Sequence, residues 1–255
     1  MSDPATNSGG KKPTPYSTAF FEGQMEGSAR SAAVVLPIVF ELVRPSSVAD
    51  VGCGVGAWLG ACVNAGIADV RGFDGDYVDR RMLRFPERLF TAVDLTKGFK
   101  PDRAFDLALC LEVGEHLPEG SAAGLVETLC ACAPAVLFSA AVPLQGGTGH
   151  VNEKPQSWWA EQFAARGYAP VDCVRHLVWN DDRVAWWYRQ NMLLYVRRDR
   201  LAAFEALQEA HARTNAGMLD VVHPRLLAKR NEKPLRRFAR GGAWLRAIRG
   251  VFTKG

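Results

Sequence analysis

Twelve residues near the start of the chain, Val48-Ala-Asp-Val-Gly-Cys-Gly-Val-Gly-Ala-Trp-Leu59, constrain its fold more than any other stretch. They read as a buried strand, a glycine-rich turn and the first turn of a helix. Gly52, Gly54 and Gly56 alternate, so backbone can approach a ligand where the strand ends and free helix amides begin. Asp50 stands two positions ahead of Gly52. The pocket such a turn builds suits a nucleotide-like cofactor.

Glycine-rich turns of this kind also serve dinucleotides, and Gly52-x-Gly54-x-x-Ala57 fits that fingerprint. Asp50 separates the two readings. Its carboxylate would repel a pyrophosphate, whereas it suits the ammonium and sulfonium of S-adenosylmethionine (SAM). At these residues the chain resembles the class I SAM-dependent methyltransferases, whose first motif is an acid-x-Gly-x-Gly-x-Gly turn. The resemblance implies that Gly52, Gly54 and Gly56 cradle the methionine part of the cofactor, with Asp50 near its charged end.

Apolar runs alternate with helix-like segments along the chain. Residues 27–44 read as a helix with a kink or boundary at Pro37. Strands are expected at 47–51, 69–74, 89–93, 105–111 and 135–140, with helices at 56–65, 77–84, 119–131 and 156–166 between and after them. Two later strands, near 170–178 and 190–197, fit an antiparallel pair, and a helix follows at about 199–213. The expected fold is α/β and Rossmann-like: a seven-stranded, mostly parallel sheet with helices on both faces, plus a helical basic C-terminal extension. Residues 1–15 read as a disordered start, 16–197 as the SAM-dependent domain and 198–255 as the extension.

Charge is distributed unevenly. Residues 221–255 carry ten Lys or Arg against the single acid Glu232, and subtracting that +9 from the total of +4 leaves −5 for the rest. Within 235–255, Trp244, Leu245, Ile248, Val251 and Phe252 recur at helical spacing among basic residues. That pattern fits peripheral contact with an anionic membrane and equally docking on protein. No apolar run is long enough to span a bilayer and Met1–Lys12 lacks a signal-peptide core, so a cytoplasmic location is expected. The six cysteines lie in apolar segments without metal spacing and read as reduced, buried thiols.

Two further acids end strands. Asp74, in Val70-Arg-Gly-Phe-Asp-Gly-Asp76, can accept both ribose hydroxyls, a role shared by SAM and NAD enzymes. By resemblance, Asp94 accepts the adenine amino group and Leu95 packs on the ring. Phe73 and Tyr77 read as core or loop packing.

The third motif, Phe105-Asp-Leu-Ala-Leu-Cys-Leu-Glu-Val-Gly-Glu-His-Leu-Pro118, runs a buried strand into Glu112, Glu115 and His116. This Glu-x-x-Glu-His resembles metal-dependent O-methyltransferases, in which these side chains and a later histidine ligate a divalent cation. Val142-Pro-Leu-Gln-Gly-Gly-Thr-Gly-His-Val-Asn-Glu153 offers His150 for that role, beside Asn152 and Glu153. A hydroxyl is a poor nucleophile until its proton leaves, so an alcohol acceptor calls for a general base or a Lewis-acidic metal. Three readings stay open: Glu112, Glu115, His116 and His150 as metal ligands, His116 or His150 as a metal-free base, and positioning alone with Glu112 touching the cofactor.

Enzymes that methylate base amines often carry Asn/Asp-Pro-Pro-Tyr where this chain has Leu111-Glu-Val-Gly114, which disfavours a nucleic-acid acceptor. The segment Trp179–Asn191, rich in Trp and amides, suits a sugar ring or an ordinary domain edge. Over about residues 16–197 the chain resembles an uncharacterised bacterial group of class I methyltransferases that often accompany glycan-assembly enzymes. The expected activity is O-methylation of a small molecule or saccharide. An NAD-type oxidoreductase is the rival on the same fold, though no clear Tyr-x-x-x-Lys pair is present; a non-catalytic cofactor-binding module tethered by its basic tail is the other.

Overall fold

The computed structural model describes the backbone of residues 18–201 and 205–230, and side chains from residue 26 onward. Residues 1–15 and 235–255, expected as a disordered start and a membrane-contacting helix, lie outside the described residues. No helix among the described residues is long and apolar enough to cross a membrane.

Seven strands form one sheet: β1 (Ser47–Val51), β2 (Asp69–Asp74), β3 (Phe90–Ala92), β4 (Leu107–Leu111), β5 (Ala135–Ser139), β6 (Tyr168–Val171) and β7 (Leu193–Arg197). Their order is β3-β2-β1-β4-β5-β7-β6. The first five run parallel, and β7 enters antiparallel to both β5 and β6. The chain moves outward from β1 through β2 to β3, then returns to place β4 on the other side of β1. That reversal opens a crevice at the carboxyl ends of β1 and β4, where open α/β sheets hold their ligands.

Both faces of the central strands are buried, so β1, β4 and β5 are apolar almost throughout. Alternation divides them between two cores. Val48, Leu107, Leu109 and Leu137 face α1 (Thr18–Val43) and α2 (Ala57–Asn64), meeting Val35, Leu36, Val39 and Leu59. Ala49, Val51, Ala108, Cys110 and Phe138 face α3 (Ala122–Cys132) and α4 (Gln156–Ala164), meeting Leu125, Leu129, Trp159 and Phe163. Phe163 and Tyr195 stack at 3.9 Å between ring centroids in the second core. All six cysteines are free, and five are buried.

Some elements depart from the pattern expected of the sequence. α1 begins at Thr18, nine residues earlier than its apolar pattern shows, and runs through Pro37. Residues 77–84 form turns with a single 3-10 turn, Arg80–Met82, because Asp79 accepts the Arg81 amide and ends the helix before it starts. The stretch expected as one strand near 170–178 divides into β6 and a short helix, α5 (Arg175–Val178). Another helix, α6 (Trp186–Asn191), lies before β7. The last two strands therefore pair across a helical excursion rather than a tight turn.

Beyond the sheet, α7 (Arg198–Leu201), α8 (Glu205–Ala212) and a helix over 224–230 follow. Leu201 and Leu207 join the first core and Leu219 the second, while Leu226 is also buried. The buried guanidinium of Arg175 donates to the Leu219 carbonyl at 2.7 Å, and Asp220 accepts from both the amide and the hydroxyl of Ser157. This segment is thus packed into the body of the protein as far as residue 230.

Candidate active site

All three glycines of the β1–α2 turn adopt the left-handed conformation, with φ of 84° at Gly52, 53° at Gly54 and 79° at Gly56. Side chains are excluded twice over at two of them. A Cβ on Gly52 would lie 2.3 Å from Val113 Cγ2, and one on Gly56 would lie 2.3 Å from the Phe85 ring. At Gly54 the same space is open, which is where a ligand can approach backbone.

Asp74 ends β2 beside this turn. One carboxylate oxygen accepts the Gly54 amide at 2.6 Å, and the other accepts the Gly75 amide at 2.6 Å and the Tyr77 hydroxyl. Tyr77, read from sequence as packing, therefore lays its hydroxyl on the expected ribose acid while its ring stays 84% exposed. Asp50 is 3% exposed. Burial first and the charge of Asp74 second push its carboxyl up to about 8. Two neighbouring acids at the ends of adjacent strands favour a positively charged ligand. Asp94 follows β3 and is half-exposed, with its carboxylate turned onto the Thr96 amide and hydroxyl and paired with Lys97 at 3.2 Å. Leu95 is buried behind it.

Across the crevice, Glu112 leaves β4 with φ of 56°, a left-handed conformation that costs a non-glycine residue energy and is retained where a site requires it. Asn191 and Gln145 amides donate to its two carboxylate oxygens at 3.1 and 3.2 Å. Gln145 is fixed in turn by Gln190 and Asn191 at 3.1 and 3.0 Å, and the Gln190 side-chain oxygen Oε1 accepts the His223 amide at 2.8 Å. Burial raises the Glu112 carboxyl, and the Asn191 amide chiefly opposes it.

Glu115 is completely buried, and neither of its oxygens completes a hydrogen bond of ordinary geometry, although the amides of Glu115 and Ala141 and the Glu112 carboxyl all approach it. Burial, then the charge of Glu112, hold it well above the usual carboxylate range. A ligating atom on each of Glu115, His116 and His150 lies within 4.8 Å of the others, and the two imidazoles meet edge to face at 4.9 Å. Glu112, expected among the same ligands, has its oxygens on the Asn191 and Gln145 amides instead. Partial desolvation and the neighbouring His150 hold His116 below the ordinary imidazole value. His150 Nδ1 faces Glu153 at 3.0 Å; that carboxylate also accepts the Leu144 and Gly146 amides, so the imidazole must be the donor.

All the expected acids and glycines thus gather at the carboxyl ends of β1 to β5. Gln145, Gln190, Asn191 and His223 also belong to the site's polar frame and carried no functional assignment from sequence; buried amides far apart in the chain have no spacing signature. The only hint was the density of amides in Trp179–Asn191.

The methyltransferase-domain family model matches residues 22–189, more than half of the chain, including the glycine turn, the strand-end acids and both imidazoles. The chain belongs to that family. This methyltransferase is SAM-dependent. No curated protein matches it in sequence. In fold it is similar to the sugar N-methyltransferase KedS8 from Streptoalloteichus sp. ATCC 53650 (TM-score 0.55, 17% identity, 78% of this chain and 99% of that one). It is also similar to DesVI of Streptomyces venezuelae (TM-score 0.51, 15% identity, 70% of this chain and 95% of that one).

Proposed function

We propose that the methyltransferase moves the SAM methyl group to a hydroxyl of a small molecule or saccharide. The observation that carries this reading is Glu115: a fully buried carboxyl whose oxygens have no partner of ordinary geometry, next to two imidazoles. A buried polar group left unpaired is costly, and such a cost persists where a reaction uses the group. An amine acceptor is already nucleophilic once neutral, whereas an alcohol must lose its proton.

In this reading Gly52, Gly54 and Gly56 cradle the methionine part of SAM, Asp50 faces its ammonium, Asp74 the ribose hydroxyls and Asp94 with Leu95 the adenine. Transfer is an in-line displacement in which the carbon–sulfur bond breaks as the carbon–oxygen bond forms, and holding the two reactants in contact removes much of the barrier. His116 is neutral at pH 7 and able to take the hydroxyl proton, while His150 presents Nε2 because Nδ1–H is held by Glu153. Glu112, clamped by two amides, lines the space between cofactor and acceptor.

The donor set of Glu115, His116 and His150 also fits a divalent cation, with an unsatisfied carboxylate and two imidazoles as ligands. When bound, such an ion supplies Lewis acidity that lowers the pKa of an acceptor oxygen. The fold is shared with a sugar N-methyltransferase, which is compatible with a saccharide acceptor but does not by itself assign one.

The test is transfer of labelled methyl from SAM to a panel of sugars and small alcohols, each paired with its amino analogue, with and without excess chelator. Label on hydroxyl compounds supports the reading, and label confined to amines overturns it. Activity abolished by chelator and restored by manganese or magnesium assigns the cation, whereas full activity in chelator leaves the imidazole as base.

A further inference from the structure

The helix over 224–230 lies against the loop that carries His150. Lys229 Nζ donates to the carbonyls of Gln145 and Gly146 at 3.1 and 3.5 Å and stands 5.7 Å from the centroid of the Trp186 ring. Arg230 Nε donates to the Leu144 carbonyl at 2.8 Å. Three consecutive carbonyls of one loop are thus gripped from a segment more than 80 residues away. The loop does not hold itself in a relaxed conformation, since Leu144 has φ of 74°, a value a branched residue keeps only under constraint.

From these carbonyls the geometry leads to the acceptor side by two routes. The Gln145 side chain donates to Glu112 Oε2, so fixing its backbone fixes one half of the Glu112 clamp. The amides of Leu144 and Gly146 both donate to Glu153, the carboxylate that orients His150. The loop then returns to the body through the amides of Val151 and Asn152, which donate to the Glu115 carbonyl at 2.8 and 3.1 Å.

We propose that Lys229 and Arg230 are positioning residues of the methyl-acceptor site: by holding the Leu144–Gly146 carbonyls they fix the loop that sets the His150 tautomer and the Glu112 clamp. This deepens the proposed function and rests on its placing of Glu112 and His150 at the acceptor. The basic extension, as far as residue 230, is by this inference part of the catalytic body. A change in its docking would alter the acceptor side and leave the cofactor side at β1 and β2 untouched.

The experiment uses the full chain with Lys229→Met and Arg230→Met combined, and the swap Lys229→Arg with Arg230→Lys as the conservative control. In the unaltered protein, the expected histidine nitrogen NMR signature of His150 is a single Nδ1–H tautomer. In the double Met variant we expect averaged tautomers at His150 and at least tenfold faster hydrogen exchange at the Leu144 and Gly146 amides. His211, whose Nδ1 faces the Pro170 carbonyl elsewhere in the fold, keeps its signature, and affinity for S-adenosylhomocysteine is unchanged. The swap variant restores the His150 signal.

Unchanged exchange and an unchanged His150 tautomer in the double Met variant overturn the proposal. Exchange that rises equally in β4 and β5 also overturns it, because the two side chains would then serve stability alone. A His150 signal that moves as expected, in an enzyme whose transfer rate survives His150→Ala, would keep the positioning role and sink the catalytic reading instead.

Discussion

At the ends of β1 and β2, Asp74 is held by the amides of Gly54 and Gly75, 20 residues and one residue away in the chain; across the crevice, Glu112 is held by Gln145 and Asn191, 33 and 79 residues away. The first half of the site is backbone from one βαβ unit closing on its own acids. The second half is side chains drawn from β4, the loop after β5, α6 and the segment beyond β7. The first needs only correct strands and glycines, whereas the second needs the whole fold in register before any of it is in place. Unsatisfied and strained groups collect in the second half, at Glu115, Glu112 and Leu144.

The largest effect that can separate the halves is expected from Glu115→Gln. It keeps the volume of a fully buried side chain and removes its proton chemistry and its charge as a ligand. Turnover should fall by about 10²–10⁴-fold, the usual worth of an acid–base or metal-ligating group, while calorimetric affinity for S-adenosylhomocysteine stays near that of the parent. A parallel loss of affinity would mean that Glu115 belongs to the cofactor half.

The same division governs what could be read from the sequence. β1 and β2 fall on the residues expected of them, because a run of apolar residues ended by an acid and a glycine turn is a local signal. Glu115, His116 and His150 were also legible as chemistry, since three ionisable groups at a strand end and a glycine-rich arm stand out. What escaped was their frame. Gln145 and Gln190 look like ordinary polar residues until α6 is seen to replace the expected strand residues and turn its amides inward. Tyr77 escaped because 77–84 reads as helical, a conformation in which its hydroxyl would have pointed elsewhere; the Asp79 cap sets the turn that brings it onto Asp74.

Asp74→Ala tests the cofactor half. Loss of a charged acceptor for ribose should weaken S-adenosylhomocysteine binding by about 1.5–3 kcal/mol, read by calorimetry. Because the Gly54 and Gly75 amides lose their partner too, the melting temperature should fall alongside. Unchanged affinity would remove Asp74 from the cofactor.

Asp50 gives a pH-dependent effect, smaller at each pH unit. Its carboxyl is raised to about 8 in the fold, so between the unfolded value near 3.8 and about 8 the folded protein holds a proton that the unfolded chain has lost. Stability of the cofactor-free protein should therefore fall as pH rises through that window, by at most about 1.4 kcal/mol per pH unit, and Asp50→Asn should flatten the slope. If the cofactor ammonium ionises Asp50, binding at pH 7 releases close to one proton, visible as a binding heat that varies with the ionisation enthalpy of the buffer. No such variation would place the ammonium elsewhere.

The smallest effect sharpens the comparison most, because it asks whether the local half of the site is already set for its ligand. One oxygen of Asp74 accepts from both the Gly75 amide and the Tyr77 hydroxyl, and the other accepts from Gly54 alone. Each carboxylate oxygen offers two lone pairs. Accepting both ribose hydroxyls, one on each oxygen, thus requires the Tyr77 hydroxyl to leave. The bond it gives up is worth about 0.5–1.5 kcal/mol, and Tyr77→Phe removes that cost, so affinity for S-adenosylhomocysteine should rise several-fold with no change in the acceptor half. An affinity that falls instead would show the hydroxyl turning onto the cofactor, so that a residue read as packing belongs among the groups that bind it.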